Sequence, residues 1–503
     1  MVGVILVLRL AFPLPEGVVR SPSTALQISP ETALGARVGA LAKEHPDLSG
    51  VLPLRDGRDA YSARVLLART AQESIDVQYY IWQTDTTGWL LLDELLDAAE
   101  RGVRVRLLLD DNGIPGLDDV VAAFDALPNA EVRIFNPFTL RQPKLVSYLF
   151  DFPRLNRRMH NKSMTVDGAL TIVGGRNIGD IYFAYGAGAH YFDLDVLLAG
   201  PAAADVASEF DLYWASESAY PASAILAPAP AGLDRLRSEA KEAEQSVIGS
   251  GYLKEMAESK LVADLLTGAQ KLEWTSVTLV SDDPAKGLGK AEDADLLVRR
   301  LPQLLDQPKR SIDLVSAYFV PGRQGVDLLA GNAARGLEVR VLTNAMEATD
   351  VAPVHSAYMK YRRELLEDGV EVLELTANPS APETDTSLQD LISGSSSSLH
   401  AKTFAIDKQR IFIGSFNFDP RSAALNTEMG FMIDSPTIAG ELSQSLDNSL
   451  THYSVVLTED ADLEWIKKAE DGSVTTYDVE PNTTAFQRAI VRFMSWLPIE
   501  WML

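Results

Sequence analysis

"RMHNKSMTVDGALTIVGGRNIGD", residues 158–180, sets His160, Lys162 and Asp167 in a His-x-Lys-x4-Asp spacing and runs on to Asn177. The pattern returns 240 residues later in "LHAKTFAIDKQRIFIGSFNFDPRS", residues 399–422, as His400, Lys402, Asp407 and Asn417. Histidine to asparagine is seventeen residues in both copies, and Asp167 to Gly174 and Asp407 to Gly414 are both seven. Upstream, "ESIDVQYYIW" matches "RSIDLVSAYF", "ERGVRVRLLLD" matches "ARGLEVRVLTN", and "AEVRIF" matches "VEVLEL". With six histidines in the chain, two such motifs in register within a longer self-similarity are not accidental, so the chain holds one unit twice.

Each copy alternates short β-branched runs with segments of helical period. In the first, strands are expected near 75–82, 103–109 and 131–135, separated by helices on "WLLLDELLDAAE" and "LDDVVAAFDAL". In the second, "IDLVSAYF", "LEVRVLT" and "VEVLEL" flank helices on "GVDLLAGNAA" and "SAYMKYRRELLED". This alternation predicts an α/β fold with sheets covered on both faces. The expected division is an apolar leader over 1–45, a first repeat over 46–225, a connector over 226–270, a second repeat over 271–455 and a C-terminal segment over 456–503. The Pro/Ala-rich stretch after Tyr220 reads as a connector entering a helix, and Ser395–Ser398 as a flexible lead-in to the second motif.

At 503 residues the chain is long enough for two cores, and 46% apolar residues make it globular. A net charge of −25 opposes long-range attraction to nucleic acid or to anionic lipid, so a site for phosphate must be local. The absence of cysteine excludes disulfides, thiolate metal sites and a cysteine nucleophile.

On a strand, residues two apart share a face, so His160 projects with Lys162 and His400 with Lys402. An imidazole and an ammonium buried side by side need an anionic or hydrogen-bonding partner. The functional reading is that two His/Lys pairs converge on one phosphoryl group. The lysines, Asn177 and Asn417 would hold its non-bridging oxygens. One histidine would attack phosphorus, and the other would protonate the leaving oxygen and later activate the acceptor. Approach from opposite sides calls for a pseudo-twofold arrangement of the repeats with one active site between them, for which no homodimer is required.

Paired His-x-Lys-x4-Asp motifs, each followed by a Gly-Ser/Gly-x-Asn element, resemble the phospholipase D superfamily over roughly residues 60–455. Within it, "GGRNIGDIYF", "VHSAYMKYRRELLEDGVEV", "GSFNFDPRSAALNTEMG" and "LPIEWML" are similar to bacterial cardiolipin synthases of the C-type branch. The resemblance implies two phospholipase D-like α/β repeats with mixed central sheets. It also implies a metal-independent, cofactor-free transfer of a phosphatidyl group to phosphatidylglycerol through a phosphohistidine, with phosphatidylethanolamine as donor in the C-type branch. It places the nucleophile on His160 and the general acid/base on His400, although the reverse fits the spacing almost as well. Asp167 and Asp407 would order loops and lysines. Carboxylates on the strand after the asparagine would hold the imidazoles, and Glu428 and Asp193 each lie eight residues before a proline, an offset that favours Asp193 over Asp195. Ser415 and His355 are further candidates for substrate contact, His355 equally reading as a surface histidine. Gly175 stands where the second motif has Ser415, which suits unequal roles for the two histidines. His45, His190 and His452 match nothing and read as structural.

Residues 141–162 carry six basic side chains, Arg157 and Arg158 among them, against the single acid Asp151, with Leu145, Leu149, Phe150 and Phe152 interleaved. They read as a membrane-contacting insertion that feeds anionic lipid to His160, or as an ordinary surface hairpin. "MVGVILVLRLAFPLP" fits a degenerate signal or anchor and equally a frayed terminus. The aromatic tail after Ala485 fits an interfacial helix, and also a tail that packs on its own core. The expected partners are phospholipids and a membrane surface, with no nucleic acid, and the expected location is the bacterial inner membrane, peripheral or weakly anchored. The alternatives are a hydrolase of the same superfamily and a non-catalytic lipid-binding protein.

Overall fold

A computed structural model describes residues 2–183, 191–304, 307–377, 398–448 and 450–503. The chain forms two compact units. Unit 1 comprises Met1–Tyr185, Asp195–Arg299 and Leu425–Gly430, and unit 2 comprises Gly186–Leu194, Arg300–Ala424 and Phe431–Leu503. Set against the expected bounds, unit 1 takes 271–299 and 425–430 from the second repeat, and unit 2 takes a short segment ending at Leu194 from the first.

Unit 1 is built on a nine-stranded sheet in the order Glu273–Thr275, Ser49–Leu54, Asp195–Ala199, Leu170–Gly174, Ser163–Val166, Ser74–Tyr79, Arg104–Asp110, Ala130–Phe135, Ala219–Pro221. Ser74–Tyr79, Arg104–Asp110 and Ala130–Phe135 run parallel, and their neighbours antiparallel. Every residue of Ser74–Tyr79 is buried, as expected where helices cover both faces. Asp76 within it is matched by Arg106 on the next strand at 2.7 Å. Unit 2 repeats the device. Ser311–Ser316 is wholly buried, lies parallel to Glu338–Asn344, and pairs Asp313 with Arg340 at 2.6 Å. From Ser311–Ser316, Lys402–Ile406 and Arg410–Gly414 extend the sheet on one side, and Glu338–Asn344, Glu371–Leu375, His452–Leu457, Leu463–Lys468 and Val474–Tyr477 on the other.

The helices fall where the period placed them, at Thr86–Glu100, Asp118–Phe124, Gly322–Ala334 and Ala352–Glu367. The stretch 226–270, expected as a connector entering a helix, is largely helical. It forms the helices Gly232–Gln245, Val247–Glu258 and Leu261–Thr267 within unit 1, and Arg237 bridges Asp93 and Asp97 at 2.6 and 2.7 Å on Thr86–Glu100. The N-terminal run is a helix, Val2–Ala11, held near Tyr148–Leu155 by an Arg9 bond to the Phe150 carbonyl and a Phe12–Phe150 stack at 6.2 Å. Among the described residues no helix is long and apolar enough to cross a membrane. Ser398 opens the strand Ser398–Leu399, while residues 395–397 of the serine run and His190 lie outside the described residues.

The motif aspartates are loop pins. Asp167 accepts the backbone N–H groups of Gln72, Glu73 and Ser74, and Asp407 those of Lys309, Arg310 and Ser311. Both sit at positive φ, +52° and +56°, the left-handed turn between motif strand and return strand that Asp tolerates. Burial alone would raise the Asp407 carboxyl, but the three N–H donors outweigh it and hold its pKa below the ordinary value. A depressed carboxylate stabilises the fold fully above its unfolded pKa, near 3.9, and that contribution is lost as pH falls through the folded value. The stability gap between the native chain and Asp407→Ala, read by urea unfolding, should therefore be largest at neutral pH and close below about pH 4.

Candidate active site

In unit 1, residues 158–160 run parallel to Thr427, with His160 N–H to the Thr427 carbonyl and Thr427 N–H to the Arg158 carbonyl, both 2.9 Å. This bridge brings Glu428 beneath the imidazole, where Oε2 lies 2.9 Å from His160 Nδ1. In unit 2, Ser398–Leu399 pairs in parallel with Tyr191–Phe192, and the N–H groups of His400 and Ala401 donate to the Phe192 carbonyl at 2.8 and 2.9 Å. Asp193 thereby meets His400, Oδ2 to Nδ1 at 2.6 Å. Each imidazole thus takes its carboxylate from the other sequence repeat. A carboxylate on Nδ1 fixes the proton there and presents Nε2 as the basic, nucleophilic nitrogen.

Asp195, the competing candidate, is fully buried and bonded to Arg64 at 2.8 Å and to the Arg176 N–H at 3.3 Å. Its place is in the core of unit 1.

The motif lysines are buried beside their histidines. Lys162 Nζ donates to the His160 carbonyl at 2.6 Å and lies over the Tyr80 ring at 5.6 Å. Lys402 Nζ donates to the His400 carbonyl, stands 3.0 Å from His400 Nδ1, and lies over the Tyr318 ring at 6.0 Å. Tyrosines also flank the imidazoles: Tyr80 meets His160 edge-on, and Tyr191 stacks on His400 at 5.0 Å. The hydroxyls of Tyr191 and Tyr318 both donate to Asp350 Oδ2, at 2.9 and 2.7 Å.

Asn177 and Asn417 are 1% and 3% exposed. Asn177 Oδ1 accepts the Ile81 N–H at 3.2 Å, while its Nδ2 has no partner among the described residues; one amide end of Asn417 is likewise unpartnered. Asn177 can offer that N–H to a ligand oxygen as it stands, and Asn417 can do so after an amide flip. Ser415 is fully buried at the end of Arg410–Gly414.

The basic segment differs from its expected role. Arg158 is 2% exposed and binds Asp110 at 3.0 Å and the carbonyls of Phe135 and Asn136, while Asp110 also accepts the Met159 N–H at 2.9 Å. Arg158 therefore sets the chain that delivers His160. Burial, opposed by Arg158, pushes the Asp110 carboxyl up to about 6. Arg141 and Lys144 are bound to Asp111 and Asp118, and Arg154 to Asp151. These acids, Asp151 apart, lie outside the segment, so counting charges within 141–162 overstated its field. Arg157 donates to the Lys286 carbonyl at 3.4 Å, and burial lowers its pKa.

His355 is 2% exposed, its Nε2 3.6 Å from Glu480, in a network in which Arg362 binds Glu374 and Glu480 at 2.8 Å. It is a buried histidine, not a surface one. His45 stacks on Trp274, and burial lowers the pKa of His452 to about 4.

Asp282 had no signal beyond a lysine four residues on. Its N–H donates to the Glu428 carbonyl and its Oδ2 accepts the Glu428 N–H, both 2.9 Å, while Lys286 binds the same carboxyl at 2.8 Å. Burial, opposed by Lys286, raises it to about 6. Asp282 is thus the clamp that orients Glu428. Among the described residues no group of three or more His, Asp or Glu side chains is arranged to hold a metal ion.

A family model described as "Cardiolipin synthase, PLD-like domain" matches residues 66–214 and 301–450. Cardiolipin synthase C of Escherichia coli K12 is 45% identical over 474 residues, covering 93% of this chain and 99% of that protein. The major cardiolipin synthase of Bacillus subtilis is 25% identical over 398 residues, 79% of this chain and 68% of that protein. The fold is similar to that of phosphatidylserine synthase from Haemophilus influenzae, with a TM-score of 0.58 at 14% identity, covering 93% of this chain and all of that one.

Replacing Arg158 by Ala should strand a buried Asp110 and cost about 3–5 kcal/mol of unfolding free energy in denaturant titrations. Glu428→Gln should shift the His160 tautomer balance, visible as moved imidazole nitrogen resonances in labelled protein.

Proposed function

Because the chain belongs to the cardiolipin synthase, PLD-like domain family, we propose that it is a phosphatidyltransferase that forms cardiolipin from phosphatidylglycerol and a second phospholipid. The observation that supports this most directly is chemical. Two histidines, each held at Nδ1 by a carboxylate, are accompanied by buried lysines and by asparagine amides with an unpartnered end.

His160 Nε2 attacks the donor phosphorus, forming the P–N bond as the bond to the headgroup oxygen breaks. His400, in its protonated form, gives that oxygen a proton and the headgroup alcohol leaves. Neutral His400 then removes the proton from the terminal hydroxyl of phosphatidylglycerol, whose oxygen displaces His160 from phosphorus and yields cardiolipin. Lys162, Lys402, Asn177 and Asn417 bind the non-bridging oxygens as charge builds on them. Asp193 and Glu428 hold the tautomers, and Ser415 lies beside the second asparagine. The mechanism assigns both histidines to one phosphate. It uses no metal or cofactor. The donor proposed is phosphatidylethanolamine, releasing ethanolamine, and the enzyme works peripherally at the bacterial inner membrane.

Labelled phosphatidylglycerol, supplied with and without phosphatidylethanolamine, should give cardiolipin, and more with the second lipid present. Phosphatidic acid as sole product would instead identify a hydrolase. With acyl-labelled phosphatidylethanolamine and an alkaline quench, the native chain should carry label that His160→Ala lacks, and both His160→Ala and His400→Ala should lose about 10³-fold or more in kcat. Asn177→Ala should lose about 10²–10³-fold in kcat with a smaller change in KM.

A further inference from the structure

The helix Ala485–Ser495 has two apolar faces and uses only one of them inside unit 2. On the inner face, Val491, 4% exposed, and Met494 pack with Met346, Ala352 and Met359. The N-terminus is closed by a capping box between Thr484 and Gln487. Beyond the helix, Arg421 bonds the carbonyls of Met502 and Leu503 at 2.8 and 2.6 Å, and Glu500 accepts Lys360 Nζ and the Tyr361 hydroxyl, each at 2.7 Å. Leu503 packs against the cluster of Val320, Val354 and Ala357. The tail is thus ordered without further contact.

Its outer face is aromatic. Phe486, Phe493, Trp496 and Trp501 are 62, 58, 75 and 58% exposed, and the first three recur at helical spacing along one stripe. A contiguous apolar surface of this kind marks a contact site. The charge pattern selects the partner. In a chain of net charge −25, residues 481–499 contain no Asp or Glu and carry Arg488 and Arg492. Arg492 is exposed at the flank of the stripe, while Glu500 at the far end is matched by Lys360. Outward Phe and Trp with arginine at the flank and no acid suits the headgroup boundary of an anionic bilayer.

Resting on the phospholipid chemistry proposed above, we propose that the outer face of Ala485–Ser495, with Trp496 and Trp501, docks the enzyme on an anionic lipid surface. Arg421 ties this tail to the chain four residues after Asn417, so the docked element adjoins the second motif.

Flotation of the full chain with phosphatidylglycerol-containing and with phosphatidylcholine vesicles tests the proposal. The double variant Phe493→Ser/Trp496→Ser should lose about tenfold or more in partition to phosphatidylglycerol-containing vesicles. Its thermal unfolding midpoint and its turnover in detergent mixed micelles should stay unchanged. Arg492→Glu, a single exposed change, should weaken binding to the anionic vesicles and leave binding to phosphatidylcholine as it was. Unaltered flotation of both variants would overturn the proposal, as would a dimer in sedimentation velocity that the double variant dissociates, because a second copy would then cover the face. Absent turnover in micelles by the native chain would count against the transferase, while flotation would still decide the docking.

Discussion

The bond from imidazole Nδ1 to a buried carboxylate is the constraint around which both units are arranged. Without it, neither ring has a defined tautomer or a basic Nε2. The backbone bridges at Thr427 and Phe192, the Asp282 clamp on Glu428 and the Arg158–Asp110 pair all place the two ends of that bond. The motif lysines need this setting as well. A buried ammonium is tolerated here because a carbonyl oxygen and a tyrosine ring meet it in each unit.

The sequence made the strands, the main helices and the motif set legible because each rests on local periodicity or fixed spacing. The choice of Asp193 over Asp195 followed from its offset to a proline, and the Arg64 and Arg176 contacts of Asp195 explain it physically. The crossing of the carboxylates was not legible. Two equivalent offsets say that each repeat supplies one acid, and nothing in them says which histidine receives it. Arg158 was misread for a related reason: its partner Asp110 lies 48 residues upstream, outside the window over which charge was counted. Asp282 acts mainly through Glu428, including both of its backbone groups, a role that leaves no mark in residue pattern.

Charge is handled by compartment. The two sheets each bury an Asp–Arg couple on adjacent parallel strands, Asp76 with Arg106 and Asp313 with Arg340. The segment before His160 balances its cations with Asp111, Asp118 and Asp151. The acid-free stretch lies near the other end of the chain, over 481–499, and coincides with the exposed aromatic stripe.

The place of segment 425–430 in unit 1 has a consequence for the nascent chain. His160 leaves the ribosome more than 260 residues ahead of Glu428, so unit 1 holds an unactivated imidazole until most of the polypeptide has been made. A translation product that stops short of residue 428 carries the first histidine without its carboxylate.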